Sequence, residues 1–388
     1  MRQFQGPDYY ELDELLTEDE RMIRDTVRSW VDKRLLPGIA GHCRAGTFPN
    51  ELIPEMAEMG LFGANLEGYE CAGLGAVAYG LIMQELERGD SGVRSCASVQ
   101  GGLVMWPIYT YGSEEQKQNW LPRLAAGTAI GCFGLTEPDH GSDPGGMETR
   151  AVRDGDGWLI NGTKMWITNG SCCDVAVVWA QTEDGIRGFL VESSTPGFSA
   201  PEMKGKLSLR ASITSELVLQ DVRVPDSARM PGANGLRAAL GCLSQARYGI
   251  VWGALGAAMA CYDEALNYTK ERVMFDKPLA GFQLVQNKLV HCLSEITKGQ
   301  LLAWRLGRLK EAGTATSAQV SLAKRNNVGN ALEIARICRD MLGANGILDE
   351  YQTMRHMVNL ESVNTYEGTY DIHTLAVGAD ITGHAAFR

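Results

Sequence analysis

The 388-residue chain predicts a mainly helical α+β protein built of three consecutive blocks, helical, then β, then helical. Three observations carry this expectation. Apolar residues recur at helical spacing behind capping boxes in the first third. Short β-rich runs alternate with Asp-Gly and Asn-Gly pairs in the middle, and long helical periodicity resumes after Gly235. The expected boundaries are 1–130, 131–232 and 233–388.

In the first block, Thr17-Glu18-Asp19-Glu20 is a capping box, and Met22, Ile23, Val27, Trp30 and Val31 follow at helical spacing until Pro37-Gly38 is expected to stop the run. Ser113-Glu114-Glu115-Gln116 opens another helix in the same way. Between them, Leu52, Met56 and Met59 and the segment Ala76 to Arg88 read as further amphipathic helices. The middle block has β runs at Gly157 to Ile160, Val175 to Ala180 and Gly188 to Val191, with Asp154-Gly155, Asn161-Gly162 and Asp184-Gly185 as hairpin turns, which predicts a small antiparallel domain. Helices over Leu236 to Phe275, Phe282 to Lys310 and Ser317 to Leu342 then imply an antiparallel, four-helix-type bundle. The absence of any internal repeat or low-complexity linker predicts that the three blocks pack as one body.

A hydrophobic fraction of 45% allows large cores, and a formal net charge of −11 argues against nucleic acid as a partner, since polyanions select basic surfaces. The ten cysteines form no metal-like pair of CxxC motifs, and adjacent Cys172-Cys173 suits no ordinary disulfide, so reduced thiols and an intracellular setting are expected. The acidic N-terminus has neither the apolar core of a signal peptide nor the Arg-rich character of a transit peptide. No run is apolar enough to span a bilayer.

Four stretches carry chemistry. CFGLTEPDHGSD, Cys132 to Asp143, ends a β run in donors suited to a flat heteroaromatic ring, and Gly141-Ser142 permits close approach of a phosphate or pantetheine chain. Met165-Trp166-Ile167-Thr168-Asn169 adds a stacking face and a hydroxyl. Arg272-Val273-Met274-Phe275, with Gln283 beyond it, places an Arg guanidinium, a planar fork of donors, beside an aromatic ring. Tyr366-Glu367-Gly368-Thr369 sets one carboxylate between a ring and a glycine in an apolar neighbourhood, as a general base requires.

Together these stretches resemble the acyl-CoA dehydrogenases, and within them the glutaryl-CoA dehydrogenases, from about Leu15 to Phe387. The resemblance implies the acyl-CoA dehydrogenase fold, FAD as cofactor, an acyl-CoA substrate, an electron-transfer flavoprotein as partner and a homotetramer that shares its flavin across a subunit boundary. It places the chain in the cytoplasm of a bacterium, or in the mitochondrial matrix if eukaryotic and processed.

By the same resemblance Phe133, Leu135, Thr136, Gly141, Ser142, Trp166, Ile167 and Thr168 contact the flavin. Arg272, Phe275, Gln283 and the turn Asp340, Leu342, Gly343 and Ala344 serve its ADP side, with Thr369 and Asp371 also on the cofactor. Glu367 is the base for the thioester α-proton. Ser142, Arg247, Tyr248, Tyr366, Gly368 and Phe387 line the substrate, the last on a tail that folds back towards it.

Arg94-Ser95 stands where glutaryl-CoA dehydrogenases bind the distal carboxylate, and Glu87 and Tyr366 match neighbouring positions of the decarboxylating members. The implied reaction is oxidation and decarboxylation of glutaryl-CoA to crotonyl-CoA and CO2. The alternatives are a dehydrogenase of another dicarboxylyl- or acyl-CoA, or oxidation of glutaryl-CoA without loss of CO2. The chain departs from the pattern at Glu70-Cys71, Val93, Cys96-Ala97, Gly101-Gly102, Trp106 and Asp276, several of them near the expected acyl pocket.

Overall fold

The computed structural model describes residues 4–387. The capping box at Thr17 forms as expected, with its hydroxyl accepting from Glu20 N and opening α1 (Glu18–Trp30). Pro37-Gly38 does not end the run. A π-helical turn at Val31–Leu35 leads into α2 (Leu36–Ala45), where Pro37 sits in the first turn and loses no intrahelical hydrogen bond. After the short α3 (Ile53–Glu58) come α4 (Ala76–Gly89) and α5 (Ser91–Ser98), which Asp90 separates by capping α5 through Gly92 N. A π-helical segment, Val99–Met105, runs into α6 (Trp106–Tyr111), and the Ser113 capping box opens α7 (Glu114–Ala125).

Helix α4 is not amphipathic as the sequence suggested. Every residue from Val77 to Gly89 is buried, because α4 lies at the centre of the molecule rather than on a flank.

The middle block is an eight-stranded sheet: β1 (Gly131–Gly134), β2 (Arg150–Asp154), β3 (Gly157–Thr168), β4 (Val175–Thr182), β5 (Gly185–Glu192), β6 (Phe198–Ser199), β7 (Thr214–Pro225) and β8 (Arg229–Asn234). Their order is β6-β7-β3-β2-β4-β5-β8, with β1 also on β4. Asp154-Gly155 and Asp184-Gly185 are turns, as expected. Asn161-Gly162 is not; it lies inside β3 at a register shift opposite β7, where Gly162 (φ +151°) passes so close to Thr149 that an added Cβ would stand 2.4 Å from its hydroxyl. Nor is the sheet wholly antiparallel, since β1 and β2 both pair with β4 in parallel.

The C-terminal block consists of α8 (Gly235–Glu271), a small hairpin of β9 (Val273–Met274) and β10 (Lys277–Pro278), then α9 (Gln283–Glu311), α10 (Ser317–Met341), α11 (Thr353–Thr365) and α12 (Tyr370–Thr382). Helix α8 is buried almost throughout and packs along α4 through glycines: a Cβ on Gly256 would lie 1.8 Å from Gln84 O, and one on Gly80 2.4 Å from the Trp252 ring. One continuous apolar core joins α1, α4 to α10 and the inner face of β1, β4 and β5.

All ten cysteines are free, and the described residues contain no cluster of side chains able to hold a metal. Among them no helix is long and apolar enough to cross a membrane.

Candidate active site

Helix α11 ends at Thr365 and α12 begins at Tyr370, capped by the Thr369 hydroxyl through Ile372 N. The joint between them is two left-handed residues, Glu367 at φ +52° and Gly368 at φ +98°. Glycine is required at 368, because a Cβ there would meet the His373 ring at 2.8 Å; glutamate at 367 adopts the same region against its preference. Side chains that persist in such a conformation are held by their surroundings, and here the hold is visible. Arg247 Nε donates to Glu367 O at 2.6 Å, and Lys324 Nζ donates to Tyr366 O at 3.0 Å and Gly368 O at 2.8 Å.

The Glu367 carboxylate is enclosed, and its Oε2 has no hydrogen-bond partner. Burial pushes its pKa up from the ordinary 4.5, and the charges of Arg94, Arg247 and Lys324 oppose the rise. Two other buried polar atoms near it lack partners, the Tyr79 hydroxyl and His373 Nε2. Burial, aided by Lys324 and Arg247, drives His373 down to about 3, so its ring is neutral. Buried polar atoms without partners are uncommon in a native fold, and two beside a carboxylate oxygen that also lacks one mark a place built to meet a ligand.

Beside Glu367, Arg94 is 1% exposed and donates from Nε to Glu87 Oε2 at 2.6 Å and from Nη2 to the Tyr366 hydroxyl. Ser91 completes Glu87 with a 2.9 Å bond to Oε1, and Ser95 Oγ stands 3.5 Å from the Tyr366 hydroxyl. Among the described residues Arg94 Nη1 has no partner within the chain. A cation keeping free donors at such burial can receive an anion.

Helix α5 is where the three blocks meet. Gly92 lies against Ala211 O, Arg94 against Tyr366, and Cys96 beside Asn169 at the end of β3.

On the β side, Met165 N donates to Thr136 O at 2.8 Å, so the two predicted flavin stretches are adjacent. A second register shift in β3, between Lys164 and Ile167, places Trp166 at φ +64° with its ring 58% exposed, an unusual state for a bulky residue. The hydroxyls of Thr136 and Thr168 make no hydrogen bond among the described residues, and Gly141 and Ser142 are exposed. An outward indole beside two free hydroxyls fits a flavin ring. Phe133, Leu135 and Ile167 turn their side chains into the cores, Phe133 edge-on to Trp179.

Arg272, Phe275 and Gln283 are exposed on the β9–β10 hairpin and the start of α9. The Lys288–Asp340 ion pair brings the Asp340–Ala344 turn to the same end of the bundle, and Asn345 holds that turn to Tyr268 at 3.1 Å. Asp276, at φ +62°, is exposed there too. From Lys324 to Asp340 is 16 residues along α10, a rise of about 24 Å, so this group stands well away from Glu367.

One expectation needs correction. Tyr248 does not face a ligand site; it is fully buried, stacks on Tyr79 and donates to Ala76 O at 2.8 Å. Arg247 stands at the joint, where its Nε donates to the Glu367 carbonyl at 2.6 Å. Phe387 is exposed at the end of an irregular tail. Thr369 acts as a cap, and Asp371 is exposed in the first turn of α12.

The departures acquire reasons. Glu70 and Tyr69 both have positive φ, at +65° and +50°, the conformation a glycine would favour. Val93, Cys96 and Ala97 are core residues. Gly101 packs tightly on Gly63, where an added Cβ would stand 3.0 Å from its backbone nitrogen, Gly102 lies against Ala246, and Trp106 packs edge-on to Tyr111.

Two buried lysines went unnoticed in the sequence. Lys324 has been described; Lys164 ties β3 to the end of β1 through Glu137 at 2.7 Å and Leu135 O at 3.1 Å.

A flavin stretch, an enclosed base and an acyl-side cation on this scaffold define an acyl-CoA dehydrogenase, and the chain belongs to that family. The family's N-terminal, middle and C-terminal domain models match residues 17–128, 132–222 and 233–382. The bovine mitochondrial short-chain specific acyl-CoA dehydrogenase is 35% identical over 374 residues, covering 94% of this chain and 90% of the relative. A glutaryl-CoA dehydrogenase from Mycobacterium smegmatis, solved in complex with FADH2, superposes with a TM-score of 0.98 at 58% identity, covering 98% of this chain and 99% of that one. An electron transferring flavoprotein structure of Acidaminococcus fermentans contains a chain with a TM-score of 0.92 at 32% identity, covering 95% and 99%. The protein is thus an FAD-dependent oxidoreductase acting on an acyl-CoA.

Proposed function

We propose that the chain oxidises and decarboxylates glutaryl-CoA to crotonyl-CoA and CO2, and passes the electrons to an electron-transfer flavoprotein. The single observation that carries the choice of acyl group is Arg94: a buried guanidinium with a free Nη1 beside Glu367, in the frame of Glu87, Ser95 and Tyr366. A simple fatty acyl chain leaves that Nη1 donor unmatched, whereas a γ-carboxylate forms a charge-assisted contact of about 1.5–3 kcal/mol.

In this reading Glu367, made basic by desolvation, removes the α-proton, and its own N–H is the chain's donor to the thioester carbonyl. FAD, when bound, supplies the acceptor for the hydride that leaves the β-carbon. Trp166, Thr136 and Thr168 hold and orient its ring, and Gly141-Ser142 admits the pantetheine chain. Arg94 keeps the distal carboxylate placed until its C–C bond breaks and CO2 leaves. Glu367, now protonated, returns its proton to the resulting dienolate. The exposed Arg272, Phe275, Gln283 and Asp340–Ala344 group, about 24 Å along α10 from the base, supports the reading that these residues serve a flavin of a neighbouring subunit in a homotetramer.

The test is a screen of flavin-loaded protein with glutaryl-, succinyl-, adipyl- and butyryl-CoA, read by flavin bleaching and by release of label from the distal carboxylate. Glutaryl-CoA should bleach fastest and release its label. Enoyl product with retained label would point to the non-decarboxylating alternative, and preference for butyryl-CoA to a short-chain enzyme like the bovine relative. In Arg94→Ala, turnover of glutaryl-CoA should fall about 10- to 100-fold while butyryl-CoA is spared; equal losses would contradict the role of Arg94.

A further inference from the structure

The joint that carries Glu367 makes its carbonyls available to both sides. Glu367 O points to Arg247 on α8, whereas Tyr366 O and Gly368 O converge on one atom, Lys324 Nζ on α10. Lys324 is 1% exposed and belongs to the interior by every measure except its charge. No carboxylate pairs with it among the described residues; its partners are those two carbonyls. An ammonium so placed costs several kcal/mol to desolvate, a cost that an apolar residue at this site would avoid.

We propose that Lys324 is a positioning residue that fixes the Tyr366–Gly368 backbone in the conformation that aims the Glu367 carboxylate, while its unneutralised charge keeps that carboxylate ionised. The left-handed φ of Glu367 leaves the joint strained, and without a clamp it relaxes towards ordinary φ and swings Glu367 off its target. A single ammonium has donors for both carbonyls, and a four-carbon stem reaches from α10 without crowding the base. The charged groups facing Lys324 are Glu367 in the joint, Arg247 on α8, Arg94 on α5 and Glu87 on α4, with the neutral His373 on α12. Burial lowers Lys324 itself to about 7, the nearby Arg247 and Arg94 adding to the effect and Glu367 and Glu87 opposing it. Above that pH the clamp loses its charge, though not its place.

This inference rests on Glu367 being the base. In Lys324→Met, kcat for flavin reduction should fall about 100-fold, as expected for a base displaced by roughly 1 Å, with KM within about threefold. The pH profile of the residual rate should move upward, because one of the three cations opposing the rise in Glu367 is gone. Amide exchange at Gly368 and Thr369, measured on the same holoenzyme and on its apo form, should speed up at unchanged exchange in β3. Lys324→Gln keeps a donor without the charge and should restore exchange protection while leaving the profile shifted. A folded Lys324→Met or Lys324→Gln protein with the wild-type profile overturns the proposal. Glu367→Gln separates the two ideas: its full turnover would remove the base assignment, whereas an inert Glu367→Gln beside a wild-type-like Lys324→Met would sink the clamp alone.

Discussion

One methyl group on α8 should uncouple acyl selectivity from the rest of the machinery. Gly253 faces the Arg94–Glu87 pair, and a Cβ built on it would stand 2.1 Å from Glu87 Oε2, 3.0 Å from Glu87 Cδ and 3.2 Å from Arg94 Nε. Ordinary carbon–oxygen contact needs more than 3 Å, so Gly253→Ala obliges the carboxylate to retreat by about 1 Å or more. That displacement breaks the 2.6 Å bond to Arg94 and strains the 2.9 Å bond from Ser91. Separating a buried pair of this kind costs about 3–5 kcal/mol, against a gain of roughly 1 kcal/mol for alanine over glycine within a helix, which leaves a net loss of about 2–4 kcal/mol. The assay is kcat/KM for glutaryl-CoA and butyryl-CoA together with thermal unfolding. Glutaryl-CoA turnover should drop at least tenfold more than butyryl-CoA turnover, and Tm should fall. Unchanged selectivity with the melting point raised by better helix propensity would refute the reasoning, since the pair would then have moved without consequence.

Two further outcomes follow from the charges. Because burial holds Glu367 above 4.5, flavin bleaching should rise with pH through an apparent value higher than that of a free glutamate, and a profile already flat at pH 5 would contradict this. The native state binds this proton more tightly than the unfolded one, so Glu367 lowers stability as pH rises across the same window. Glu137 behaves oppositely: burial alone would raise it, but Lys164, Thr149 and the Glu148 amide hold it at about 2. Its contribution is present above pH 4.5 and is lost as pH falls towards 2. Lys164→Met strands that carboxylate and should cost about 3–5 kcal/mol in urea unfolding while loosening flavin retention; a variant with wild-type stability and flavin content would show that Lys164 does not brace the Thr136–Trp166 edge.

The order of helical, β and helical blocks was legible because it rests on period and on caps: Thr17 and Ser113 cap as the local pattern demands. Pro37 misled because a proline in a first turn reads the same as one that ends a run, and only the π-helical turn before it distinguishes them. Asn161-Gly162 misled likewise, since the glycine answers to Thr149 on a neighbouring segment rather than to a turn. The parallel pairing of β1 with β4 joins residues more than forty apart, beyond any local signal. In the site, Glu367 and Arg94 were recognisable by motif. Lys324 and Lys164 were not, because a lysine in a helix or strand reads as solvated until tertiary packing encloses it. Arg247 and Tyr248 sit on the expected helix, but the side of α8 each presents was decided by packing against α4 and the joint.

The bulge in β3 has a spectroscopic consequence. The chain has eight tryptophans, and Trp166 is the one that is exposed; Trp30, Trp120, Trp158, Trp179 and Trp252 are buried, and Trp106 and Trp304 are half-covered. Its indole is therefore the component of the emission that water quenches and shifts to the red in the apo protein. If the flavin stacks on it as proposed, it accepts that excitation energy, and loss of the red edge of the emission on loading with FAD then reports occupancy without any turnover. The same strained φ that turns the ring outward thus gives the chain a built-in optical gauge of its own cofactor content.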